Sequence, residues 1–105
     1  MRRFEILLPA VFNDGDDVAD TCMRCFPETL MSVVEQFGAL SIESSATTGV
    51  WTSMGRRYDD RLYRLTIDVP DTEDNLRWIR SFKEQLLERF GQLEIYIVSH
   101  PIHRL

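Results

Sequence analysis

Long apolar runs are missing from this chain. No stretch approaches the roughly 18 consecutive apolar residues of a membrane-crossing helix, and the opening MRRFEILLPAVFNDGDD has too short an apolar run for a secretory signal. A cytoplasmic location and no membrane contact are therefore expected. Cysteine is scarce: Cys22 and Cys25 are the only two in 105 residues, too few for a disulfide framework. An excess of basic charge is also absent. Twelve Lys and Arg stand against seventeen Asp and Glu, for a net charge of −5. Nucleic-acid binding needs clustered cations to neutralise phosphates, and is not expected here. No Gly-rich phosphate cradle, G-x-S-x-G or H-E-x-x-H occurs, so neither a cofactor nor a catalytic residue is assigned. Repeats, linkers and low-complexity segments are lacking too, and residues 1–105 read as one domain.

What is present is a sequence of alternating and helical periods. Phe4, Ile6 and Leu8 alternate with Arg3, Glu5 and Leu7 and predict a strand closed by Pro9. Phe26, Leu30, Val33, Val34 and Phe37 fall at helical spacing, with Pro27 suited to the first turn and Gly38 to the stop. Leu40 and Ile42 begin a second strand. Tyr63, Leu65, Ile67 and Val69 mark a third, ending at Pro70. Asp71-Thr-Glu-Asp74 is a helix start, Leu76, Ile79, Phe82, Leu86 and Phe90 form its stripe, and Gly91 ends it. Leu93, Ile95 and Ile97 alternate in a fourth strand. The order strand, helix, strand, strand, helix, strand predicts an α+β fold, a ferredoxin-like βαββαβ sandwich. It would have a four-stranded antiparallel sheet, two helices on one face and a long hairpin between strands two and three.

That hairpin spans Gly49–Asp60, GVWTSMGRRYDD. A two-residue turn at Met54-Gly55 would pair Ser53 with Arg56 and Trp51 with Tyr58. Continued inward, the same register sets Ile42 against Ile67 and Leu40 against Val69. By the period of two, Trp51, Tyr58, Leu62 and Arg64 then lie on the sheet face away from the helices, with Glu43, Leu7, Tyr96 and Val98. A solvated face seldom carries this many large side chains, so Trp51, Tyr58, Leu62, Arg64 and Tyr96 are the candidate binding residues, for a second copy or another protein. A bulge at Gly49 would instead send Trp51 to the other side.

Cys22-x-x-Cys25 precedes the first helix. Thr21-Cys-Met-Arg-Cys25 looks like part of the signature of heavy-metal-associated domains, whose thiolates hold soft cations, but the preceding Gly-Met is absent. A tetrahedral zinc site with His100 and His103 is opposed by topology. The two pairs would sit at opposite ends of the sheet, on the order of 20 Å apart for about six residues of strand. Asp14, Asp16, Asp17 and Asp20 lack the spacing of a calcium loop and read as a solvated acidic turn.

Arg3-Phe-Glu-Ile-Leu-Leu-Pro9, Phe12-Asn-Asp-Gly15, Gly49-x-Trp51 with Gly55, Tyr58 and Asp60, Asp68-Val-Pro-Asp-Thr72, and Arg89-Phe-Gly-Gln92 before Ile95-Tyr-Ile97 carry a resemblance. In these the chain resembles a group of short bacterial proteins without an established activity. The resemblance implies a bacterial, free-standing domain and transfers no catalytic residue. Taken together, the residues predict a non-enzymatic binding or regulatory module that works through the open sheet face, as a homodimer or with a protein partner. The alternatives are a small-molecule binder or enzyme of the dimeric α/β-barrel type, and a copper or zinc carrier through Cys22 and Cys25.

Overall fold

A computed structural model describes residues 1–43 and 47–105, with Asp59 described by its backbone alone. Its elements in order are β1 (Arg2–Pro9), α1 (Val18–Thr21), α2 (Cys25–Phe37), β2 (Ser41–Ile42), β3 (Thr47–Ser53), β4 (Arg56–Val69), α3 (Glu73–Arg89) and β5 (Ile97–Pro101). The sheet is antiparallel throughout, in the order β2-β4-β1-β5, with β3 pairing the outer part of β4. The α+β class and the predicted element order hold, but among the described residues the sheet has five strands rather than four. The second predicted strand is divided into β2 and β3, and a short α1 precedes α2.

The division carries a register change. Ser53↔Arg56 through Thr47↔Leu62 follow the predicted pairing, yet Ile42 faces Leu65 rather than Ile67. Between these pairs the sequence has four residues, 43–46, against two on β4, 63 and 64; residues 44–46 lie outside the described residues. Leu40 falls before β2 and so pairs with no strand, though it packs on the core. An offset of two preserves which face each side chain meets, so the error leaves the face assignment intact. At the other edge, β5 begins at Ile97 rather than Leu93. The chain first has to return from α3. Gln92 N donates to Leu87 O and Ile95 N to the Glu94 carboxylate, leaving Leu93 almost fully exposed while Ile95 is buried.

The core lies between sheet and helices. Phe4, Ile6 and Leu8 of β1 and Leu65, Ile67 and Val69 of β4 meet Val33 of α2 and Ile79, Phe82 and Leu86 of α3. Burying each such side chain is worth about 1.5–3 kcal/mol. Aromatic contacts join the helices near both ends. Phe26 touches Phe90 and Tyr63, each with ring centroids 5.6 Å apart, and Trp78 lies between Phe37 and Phe82 at 4.9 and 4.7 Å. Thr72 caps α3 by accepting from Asn75 N, and Gly38 ends α2 in the left-handed region at φ 83°.

On the outer face Arg3 and Asp68 are directly opposite, with Arg3 donating to both carboxylate oxygens at 2.7 and 2.9 Å. These hydrogen bonds hold the Asp68 carboxyl below its usual value of 3.8. Asp71 is lowered in the same way by Arg2, and Glu94 by Lys83. A carboxylate depressed on folding contributes stability that is full above the unfolded value and is lost as pH falls through the folded one. Melting temperature should therefore hold steady through mild acid and drop as carboxylates protonate. Asp68→Asn should flatten that drop only slightly, because the pair is solvent-exposed; thermal melts taken down into the acid range measure both.

Candidate functional site

β4 places the candidate residues. Its inward positions Tyr63, Leu65, Ile67 and Val69 face the helices, so Tyr58, Asp60, Leu62, Arg64, Thr66 and Asp68 share the outer face. β1 pairs β4 only as far as Pro9↔Leu62. Beyond that point β3 and β4 run on as a two-stranded arm, on the order of 20 Å long for six residues of strand. The radius of gyration, 14.2 Å, exceeds the roughly 13 Å of a compact chain this size, as a projecting arm requires.

The arm is closed by Met54-Gly55, both with positive φ (52° and 77°), the pattern of a type I′ turn. No bulge interrupts Gly49↔Asp60, so Trp51 stays on the outer face beside Tyr58. The two rings stack with centroids 4.3 Å apart and an interplanar angle of 15°. Trp51 Nε1 donates to Asp60 Oδ2 at 2.5 Å, and the Arg56 guanidinium lies 5.2 Å from the Tyr58 ring centre. Asp60 is the diagonal neighbour of Trp51, facing Gly49. A side chain at Gly49 would place its Cβ 3.0 Å from Leu62 Cδ1. The glycine thus leaves room for Leu62 beside the Trp51–Asp60 contact.

On the body of the sheet, Leu62 sits across from Pro9, Arg64 from Leu7, and Tyr96 beside Leu7 through the bond from Leu7 N to Tyr96 O. Arg64 Nη1 donates to Glu43 at 3.0 Å. Trp51 is 44% exposed and Tyr96 62%. The five predicted residues therefore form two groups, Trp51 and Tyr58 on the arm and Leu62, Arg64 and Tyr96 on the body. Six residues of β4, on the order of 20 Å, separate Tyr58 from Arg64. A shallow groove of about 280 Å³ on this face is lined by Arg3, Ser41, Ile42, Glu43, Arg64, Thr66 and Asp68, and so includes Arg64 but neither tyrosine. Sequence reasoning passed over Asp60 and Arg56 as site members. Both become visible once the register and the period of two are combined.

The cysteines are joined as a disulfide, Cys22–Cys25. In this state neither sulfur is a free thiolate for a soft metal, and no His, Cys, Asp and Glu cluster among the described residues could hold a metal ion. The aspartates act locally: Asp14 accepts from Asp16 N, and Asp17 caps α1 by accepting from Asp20 N. No described helix is long and apolar enough to cross a membrane.

The fold has relatives among solved structures. A phage SAM lyase in complex with S-methyl-5′-thioadenosine is similar with a TM-score of 0.70 and 15% identity, over 94% of this chain and 79% of that one. The divalent cation tolerance protein CutA1 of Thermus thermophilus is similar at 0.63 and 15% identity, over 99% and 86%. CutA1 of Pyrococcus horikoshii gives 0.62 and 7% identity, over 100% and 86%. At such identities the likeness establishes a ferredoxin-like fold and nothing of activity. No protein-family model and no curated protein matches the chain.

Gly49→Ala brings two opposed effects together. Less freedom in the unfolded chain favours Ala by about 0.4–1 kcal/mol, while contact with Leu62 opposes it. Urea denaturation should find Gly49→Ala near neutral alone and stabilising by about that amount in a Leu62→Ala background, a coupling that a double-mutant cycle isolates.

Proposed function

We propose that this chain is a non-enzymatic binding module that self-associates through its outer sheet face, the arm of one copy lying over the body of a second. The observation that carries the reading is the Trp51–Tyr58 stack, held on a projecting arm and left accessible to solvent. Isolated two-stranded ribbons are marginal in water, and burial against a partner would supply what the arm lacks. Trp and Tyr are the side chains most often found at the energetic centre of interfaces. The body offers Leu7, Leu62, Tyr96 and Val98 as an apolar counterpart beside charged pairs at its rim. Charge points the same way, because the arm tip carries Arg56-Arg57 while the chain as a whole is at −5. A bacterial origin and a cytoplasmic setting, expected from the sequence, belong to this reading.

A second reading is a small-molecule binder, with two such faces enclosing a ligand. It is favoured by the polar groove beside Arg64 and by the phage SAM lyase, a protein of this fold holding S-methyl-5′-thioadenosine.

Light scattering with size exclusion tests the first reading. A dimer is expected at micromolar concentration. Trp51→Ala on the arm and Tyr96→Ala on the body should each weaken it about tenfold or more, since anchor truncations cost upwards of 1.4 kcal/mol. A monomer persisting to high micromolar concentration would sink it.

A further inference from the structure

Two sulfurs meet where α1 ends and α2 begins. Cys22 directly follows α1, Cys25 is the first residue of α2, and their disulfide spans a Cα–Cα distance of 5.5 Å. As a clamp it has little to hold. A separation of three residues closes the kind of short loop whose crosslink removes least chain entropy. The same segment is already tied by Cys22 N to Val18 O at 2.8 Å, by Cys25 N to Cys22 O at 3.3 Å, and by complete burial of Val18.

The two sulfurs are unequal. Cys25 lies in the core with 3% exposure, whereas Cys22 is half-buried at its margin. A thiol arriving from solvent therefore meets Cys22 first. Cys25, the sulfur that would then depart, stands at the N-terminus of a thirteen-residue helix, where the dipole favours an anion. Once protonated it also has a partner, since its Sγ lies 3.8 Å from the carbonyl oxygen of Arg89 at the end of α3. The surroundings hold their shape without the sulfur–sulfur bond. Buried Thr29 donates its hydroxyl to Cys25 O at 2.7 Å and accepts from Arg89 Nη1 at 2.8 Å, linking α2 to α3 around this point. Both redox states of Cys25 are accommodated by one scaffold.

We propose that Cys22–Cys25 is a thiol–disulfide exchange site that trades electrons with a small thiol. In the reducing direction a thiolate attacks Cys22 Sγ, the Cys22–Cys25 bond breaks, and Cys25 leaves as a thiolate and takes a proton. A second thiolate attacks the co-reactant's sulfur in the mixed disulfide, releasing Cys22, which is protonated in turn. Two co-reactant thiols have become one disulfide, and the protein has gained two electrons and two protons. The site lies on the helix side of the sheet, and its chemistry does not depend on the outer face.

Glutathione is the probe. Full-length protein is equilibrated across ratios of reduced to oxidised glutathione, and free thiols are then trapped with a mass-tagged maleimide. A single two-thiol transition within the titration is expected, with unchanged far-ultraviolet circular dichroism. Cys25→Ser should accumulate a glutathione adduct at Cys22, roughly tenfold faster than Cys22→Ser does at Cys25, because burial and access govern the rate. A disulfide that survives excess reduced glutathione, thiols that stay free under excess oxidised glutathione, or equal labelling of the two variants would each overturn the proposal. Should the variants fail to fold, the wild-type titration still decides.

Discussion

β4 runs for fourteen residues without a break, and every strand except β5 is hydrogen-bonded to it. A strand cannot change which side its odd residues face without a bulge. The alternation set in the core by Leu65, Ile67 and Val69 is therefore transmitted along the whole strand to the tip of the arm. Tyr58 is on the outer face because Ile67 is in the core. Trp51 follows Tyr58 because a two-residue turn leaves no other pairing. Burial at one end of the strand thus decides what a solvent-exposed end presents.

Much of this was legible in the sequence. Alternation at Phe4–Leu8 and Tyr63–Val69, the stripes through Val33 and Phe82, and stops at Gly38 and Gly91 were enough for the α+β class and the element order. The turn at Met54-Gly55 was enough for the Trp51–Tyr58 pair. The offset of Ile42 was not legible, and for a definite reason. Hydrophobic pattern reports on the face a side chain meets, and a two-residue slip changes the partner without changing the face. The start of β5 was hidden differently. Leu93 continues the alternation of Ile95 and Ile97 in the sequence, but the chain is still crossing from α3 to the sheet edge at that point.

The candidate face was legible as a surface and not as a site. Parity alone assigns Leu62, Arg64 and Tyr96 to the same side as Trp51. It cannot report that Asp60 takes the indole hydrogen or that Arg56 covers Tyr58, since the first is a diagonal contact and the second a contact along one strand, and neither is a direct cross-strand pair. Spacing showed Cys22 and Cys25 to be close. Their unequal burial, which gives the two sulfurs different roles, depends on how α2 and α3 meet around Thr29 and Arg89.

The offset between Ile42 and Thr47 also marks where the length of this chain is free to vary. Two residues more on one side than on the other separate the pairs Ile42↔Leu65 and Thr47↔Leu62, and the arm beyond still presents the same side chains outward. The register of the arm is dictated from its far end, by the two-residue turn and the unbroken β4. Insertions and deletions in the connection between β2 and β3 therefore leave the arm's surface as it is. One residue added at Met54-Gly55 would instead slip every pair in the arm and carry Trp51 off Tyr58's face, away from Asp60.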